Sequence, residues 1–184
     1  MELYREKLRV GLRKLYYGEI IIVISAFCSL LALIPVLGLL VGLGILAATI
    51  AALVLSIWGL VKLGDVHSNY ILVLILTILN GIIGIFDEVT VLDFISIVLS
   101  LVVVWLLIKT TNHFLEEIGR TDVIRTGLRA LRCNVAVMAA SLLCMLISLV
   151  APGLAVLLLV ITLIVSLVGL AFYIAYIKQA SEAF

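Results

Sequence analysis

The chain has 184 residues, 66% of them apolar and 12% charged, with a formal net charge of +1 and a mean hydropathy of +1.43. A soluble domain is about half apolar and about a quarter charged. No water-soluble fold of this length can hide so much apolar surface, so lipid must be the solvent for most of it.

Residues 1–19 are charged, with Arg5, Lys7, Arg9, Arg13 and Lys14 among Glu2, Glu6 and Glu19. Leu8, Leu12 and Leu15 recur at helical spacing between the basic residues. The pattern predicts an amphipathic helix lying on the membrane surface; a helix docked on another part of a protein is the alternative. An apolar run covers 20–34, and a turn at 35–38 contains Pro35 and Gly38. A longer run covers 39–61, and 62–69 is a polar break. Residues 70–86 form the third run, closed by Asp87 and Glu88, and 91–108 the fourth. Residues 109–134 are the one long polar segment, with a second basic amphipathic helix expected at its end. The fifth run is 135–151, Pro152 and Gly153 make a turn, and 154–177 is the sixth.

The fold expected is all-α: a polytopic helix bundle of about six transmembrane helices arranged as three hairpins, with interfacial helices before the first and fifth spans. A span needs about 20 residues, so the first, third and fifth runs must recruit interfacial flanks such as Tyr16 and Tyr17 or thin the bilayer locally. Barrel strands would alternate apolar and polar residues, and these runs are continuous. A cleaved signal peptide is not expected. No small-residue cleavage site follows the first run, and a second run comes almost at once.

Lys and Arg fall before the first run, after even-numbered runs, or in 109–134, and none falls at the turns near 35–38, 87–90 or 152–153. The positive-inside rule then places both termini in the cytosol, at the plasma (inner) membrane if the source is prokaryotic.

A shift of 116 positions lays Arg9, Gly11, Leu12, Arg13 and Leu15 on Arg125, Gly127, Leu128, Arg129 and Leu131. It also lays Ser25, Cys28 and Lys62 on Ser141, Cys144 and Lys178. We read a single membrane domain over 1–184 with an internal repeat, 9–62 and 125–178. Trp58-x-x-x-Lys62 recurs as Trp105-x-x-x-Lys109, which marks 70–109 as a candidate decayed third hairpin. Repeats of two spans each share one orientation.

Small residues form stripes. Gly38 and Gly42 open the second run, and Gly44, Ala48, Ala52 and Ser56 follow at four-residue spacing; Ala136, Ala140, Cys144 and Ser148 do the same in the fifth. Such stripes let helices approach closely, because association in lipid rests on packing. Asn80 is the strongest polar group well inside a run. It reads as a bond to a neighbouring helix or as part of a polar path.

The three cysteines form no CxxC pair, and the two histidines, His67 and His113, have no metal-ligand spacing. No nucleophile elbow, phosphate loop or dinucleotide fingerprint occurs. His113, Glu116, Glu117 and Arg120 are the nearest thing to a polar cluster, and their spacing fits a solvated helix. The function expected is therefore non-enzymatic and without cofactor: a scaffold, accessory subunit or protective factor in a membrane system. The rival is a small transporter or channel built from parallel two-helix repeats. The partners expected are the bilayer, with Arg9, Arg13, Arg125, Arg129 and Arg132 gripping anionic headgroups or docking a partner, and a membrane protein or a second copy. Nucleic acid is not among them.

Overall fold

In the computed structural model the described residues are 2–29, 38–83, 90–148 and 152–184. They form six helices: α1 (Glu2–Cys28), α2 (Gly38–Gly64), α3 (Ser68–Ile83), α4 (Thr90–Glu117), α5 (Thr121–Ser148) and α6 (Pro152–Ala183). The protein is all-α, as its uninterrupted apolar runs require. Among the described residues four stretches are long and apolar enough to cross a membrane: Val41–Gly64, Phe94–Glu117, Thr121–Cys144 and Leu158–Ala183. α3 is a shorter apolar helix. The turn expected at 35–38 lies, up to residue 37, outside the described residues, as do Gly84, Asp87 and Glu88. At 152–153 the expected turn is instead the opening of α6, with Pro152 as its first residue. Proline suits that position, where its missing N–H would have no helical partner.

Neither basic segment is a separate surface helix. α1 runs unbroken from Glu2 to Cys28, and α5 from Thr121 to Ser148. No proline interrupts either helix, and Gly18 lies where α1 meets its neighbour, so nothing local stops propagation.

The chain divides into two compact units, Met1–Ile71 with Ile177–Phe184, and Leu72–Tyr176. In the first, α1 lies along α2. Leu8, Leu12 and Leu15 are 2%, 0% and 4% exposed, so this apolar face is covered by protein, contrary to the expected burial in the lipid surface. The reason is a set of glycines that brings the two backbones together. A Cβ at Gly11 would stand 2.6 Å from the Leu63 Cγ and 3.0 Å from the Gly59 carbonyl oxygen, and one at Gly59 would stand 2.8 Å from the Gly11 carbonyl oxygen. About two turns further along, a Cβ at Gly18 would stand 2.6 Å from the Ser56 Oγ and 3.1 Å from the Ala52 carbonyl oxygen. The Lys7 ammonium donates to Asp65 at 3.2 Å across the same pair. α2 then passes to α3 through His67, whose Nδ1 accepts from the Asn69 amide at 3.1 Å and so caps the first turn of α3.

In the second unit α4 packs on α5 through a tight reversal. The Gly119 amide donates to the Glu116 carbonyl and the Arg120 amide to the Leu115 carbonyl, each at 3.0 Å, with Gly119 at φ 71°. This is the paired bonding of a Schellman ending, whose left-handed residue favours glycine. Arg120 then clamps Asp122 in the first turn of α5 with two bonds of 3.1 Å. The polar segment expected at 109–134 is therefore mostly helix rather than loop. Thr110, Thr111 and Asn112 on α4 are buried. The Tyr176 hydroxyl lies 2.9 Å from the Asn112 Oδ1 and 3.3 Å from the Ile108 carbonyl oxygen. α5 is notched for the same ring: a Cβ at Gly127 would stand 2.6 Å from the Tyr176 Cε2.

Candidate functional site

The first unit holds a cleft of about 340 Å³ at its basic end. α1 supplies Arg9, Arg13, Tyr16 and Tyr17, which the i, i+4, i+7 and i+8 spacing places along one face over about two turns. The last turns of α6 supply Lys178, Ser181 and Glu182 at the matching i, i+3, i+4 spacing. The Arg13 Nε and Nη2 donate to the Tyr17 hydroxyl at 3.2 and 3.1 Å, and the guanidinium lies 5.6 Å from that ring's centroid. Tyr17 thus fixes Arg13 while the other donors of the guanidinium remain for a ligand. Ser181 is buried, and its hydroxyl donates to the Lys178 carbonyl at 2.7 Å, leaving its oxygen able to accept. Among the described residues no ion pair neutralises Arg9, Arg13, Lys178 or Glu182. Three cations therefore face the cleft against one carboxylate.

Lys14 is not part of this set. Its ammonium lies over the Trp58 ring, 2.7 Å from the centroid. Partial desolvation, and then the charge of Lys62, hold it below the ordinary lysine range.

Of the arginines expected to meet headgroups, the structure brings Arg9 and Arg13 together and adds Lys178, whose part in a site the sequence reading did not foresee. The signal available was the Lys178-x-x-Ser181-Glu182 spacing just beyond the last apolar residue of α6. Arg125, Arg129 and Arg132 are exposed along α5.

The small-residue stripes are used unevenly. Ala52 is buried and Ser56 half-buried at the α1 seam, Ala48 is half-buried, and Gly42 and Gly44 are exposed, with nothing within 4 Å of a Cβ at either. Gly38 and Ser148 fall at helix ends whose side-chain surroundings lie outside the described residues. On α5, Ala136 is exposed, and Ala140 and Cys144 are half-buried. The close approach to α6 is instead at Cys133, whose Cβ would be 3.2 Å from one at Gly169.

Asn80 is used by the fold. Its Nδ2 donates to Ser100 at 3.0 Å, and its Oδ1 accepts from Ser96 at 2.8 Å, both on α4. His113 lies 3.7 Å from Glu117 within one exposed turn. No group of three His, Cys, Asp or Glu side chains that could hold a metal occurs among the described residues.

No family model, no curated protein and no solved structure matches this chain. What the helices establish is the class: a helical protein with four candidate membrane spans.

Proposed function

We propose that this protein is a non-enzymatic, multi-pass scaffold or accessory subunit of a membrane system. The observation that carries this reading is how its intramembrane polar groups are spent. Asn80 satisfies both ends of its amide on α4. The hydroxyls of Ser25, Thr49, Thr77 and Thr162 each donate back to a carbonyl four residues earlier in the same helix, at 2.8–2.9 Å. A permeation path needs polar groups turned toward the permeant, and these hydroxyls spend their one donor inside their own helices, which leaves them acceptors only. The long apolar helices meanwhile present large side chains outward, among them Leu43, Leu46, Ile50, Leu53, Leu159 and Leu163, a surface suited to lipid and to neighbouring helices.

The test is affinity purification of the full chain from its native membrane in mild detergent. A membrane protein recovered in fixed ratio is the expected result. A chain recovered alone, together with solute flux through vesicles containing only this protein, overturns the reading in favour of transport.

A further inference from the structure

We propose that the cleft between the middle turns of α1 and the last turns of α6 seats the phosphate ester of an anionic phospholipid headgroup. This rests on the membrane reading above and adds a ligand to it.

Charge is the first ground. Arg9, Arg13 and Lys178 line the cleft and Glu182 is its one carboxylate. None of the four is neutralised by an ion pair among the described residues. Unpaired cations gathered on two helices repel one another, and an anion between them removes that cost. Geometry is the second. Arg13 is held by Tyr17 through two donors, and a guanidinium fixed in this way offers its remaining N–H groups in the planar fork that matches phosphate oxygens. Lys178, approaching from the other helix, adds a point charge.

Size is the third ground. At about 340 Å³ the cleft has room for about ten waters, at about 30 Å³ each. That is room for a phosphate with a small hydroxylated substituent. The remaining groups suit such a substituent, since Glu182 and the Ser181 oxygen accept from hydroxyls. Depth is the fourth. Lys178 directly follows the apolar run of α6, and Tyr16 and Tyr17 directly precede that of α1. Aromatic and basic residues in those places mark the headgroup level, so the cleft opens where phosphates lie.

A lipid and a free phosphate ester share this chemistry, and the experiment separates them. The full chain is purified in a neutral detergent and titrated with short-chain phosphatidylglycerol, short-chain phosphatidylcholine, and the water-soluble glycerophosphoglycerol headgroup. Saturable binding of phosphatidylglycerol is expected, with phosphatidylcholine at least about tenfold weaker, because the latter keeps the phosphate but brings a trimethylammonium that Arg9, Arg13 and Lys178 repel and lacks the hydroxyls that Ser181 and Glu182 accept from. Tighter binding of the lipid than of its soluble headgroup identifies the membrane as the source; equal binding identifies a free ester, and either order supports the seat.

Lys178→Gln with Arg13→Gln should weaken binding about tenfold or more, while Arg125→Gln with Arg129→Gln changes it less than about twofold. Lys178→Arg, which keeps the charge, should retain binding and guards against a folding defect in the double variant. Equal loss in the Arg125/Arg129 variant, equal affinity for phosphatidylcholine, or no saturable binding by the parent overturns the proposal. Alkaline extraction of native membranes isolates the underlying reading. A chain released into the supernatant defeats the membrane assignment, whereas one that pellets without headgroup selectivity defeats only the seat.

Discussion

The same triplet, Gly-Leu-Arg, stands at Gly11–Arg13 on α1 and at Gly127–Arg129 on α5, and the two copies are packed in different ways. On α1 the glycine meets the Leu63 side chain and, just behind it, the Gly59 carbonyl, and Leu12 beside it is fully buried. On α5 the glycine receives the edge of an aromatic ring, Tyr176, and Leu128 beside it is 44% exposed. The residues buried with Gly127 are Val123 and Ala130, a face rotated from the one that α1 buries through Leu8, Leu12 and Leu15. Glycine sets how near another element can come, and what that element offers decides which neighbours are covered. A small backbone groove on α2 turns the leucine stripe inward, whereas a ring seated in a notch leaves its counterpart outside.

The leucines give the largest expected difference. Leu12→Ala should cost about 2–5 kcal/mol, the range for emptying a packed leucine site, while Leu128→Ala should stay within about 0.5 kcal/mol, as for an exposed position. Reversible unfolding in mixed micelles reads both, and equal losses would dissolve the contrast. Next is Gly59→Leu. Its side chain would start 2.8 Å from a backbone oxygen that cannot swing away, so a loss of about 3 kcal/mol, the upper end for overpacking, is expected. Gly127→Ala meets a side chain instead. We expect about 1–2 kcal/mol in the parent and almost none in a Tyr176→Leu background, a coupling that a double-mutant cycle measures. Asn80→Ala should cost about 1 kcal/mol by severing α3 from α4, with no change in any solute flux. Smallest is Asp65→Asn, which removes the half-exposed pair with Lys7; under about 1 kcal/mol is expected, and less still in high salt.

Much of the helical character was open to reading from residues alone, because runs such as 39–61 and 154–177 have one solution in lipid. Span count was less open. Of the six spans expected, four correspond to helices that are long and apolar enough to cross among the described residues. α3 is shorter, and α1 carries its charges along the same continuous helix as its apolar end. The leucine periodicity of residues 8–15 correctly marks a buried face, yet periodicity does not say whether lipid or protein covers it. Gly11 and Gly18, seven residues apart on that face, are the local sign that another helix does.

The candidate cleft was half legible. Arg9 and Arg13 stand out by their spacing, but Lys178 lies more than 160 positions away, and only the folded chain brings it to them. The stripe residues differ in how closely other elements approach them. Ala52 and Ser56 meet α1, while Ala136 is exposed and the approach of α6 falls on Cys133.

Thr110, Thr111 and Asn112 are buried directly after Lys109, and the Tyr176 hydroxyl ties α6 to this polar knot through the Asn112 Oδ1. Lysines of this kind mark the water-facing border of a span, so the knot behaves like a fragment of ordinary soluble protein attached to a lipid-dissolved one. Its cohesion comes from hydrogen bonds and the Gly119 reversal, neither of which depends on acyl-chain length. When the protein is moved between thin and thick bilayers, the amides around residues 110–112 should keep their deuterium-exchange protection while those in the apolar stretches adjust. This patch would then serve as an internal standard for how the rest of the chain responds to its solvent.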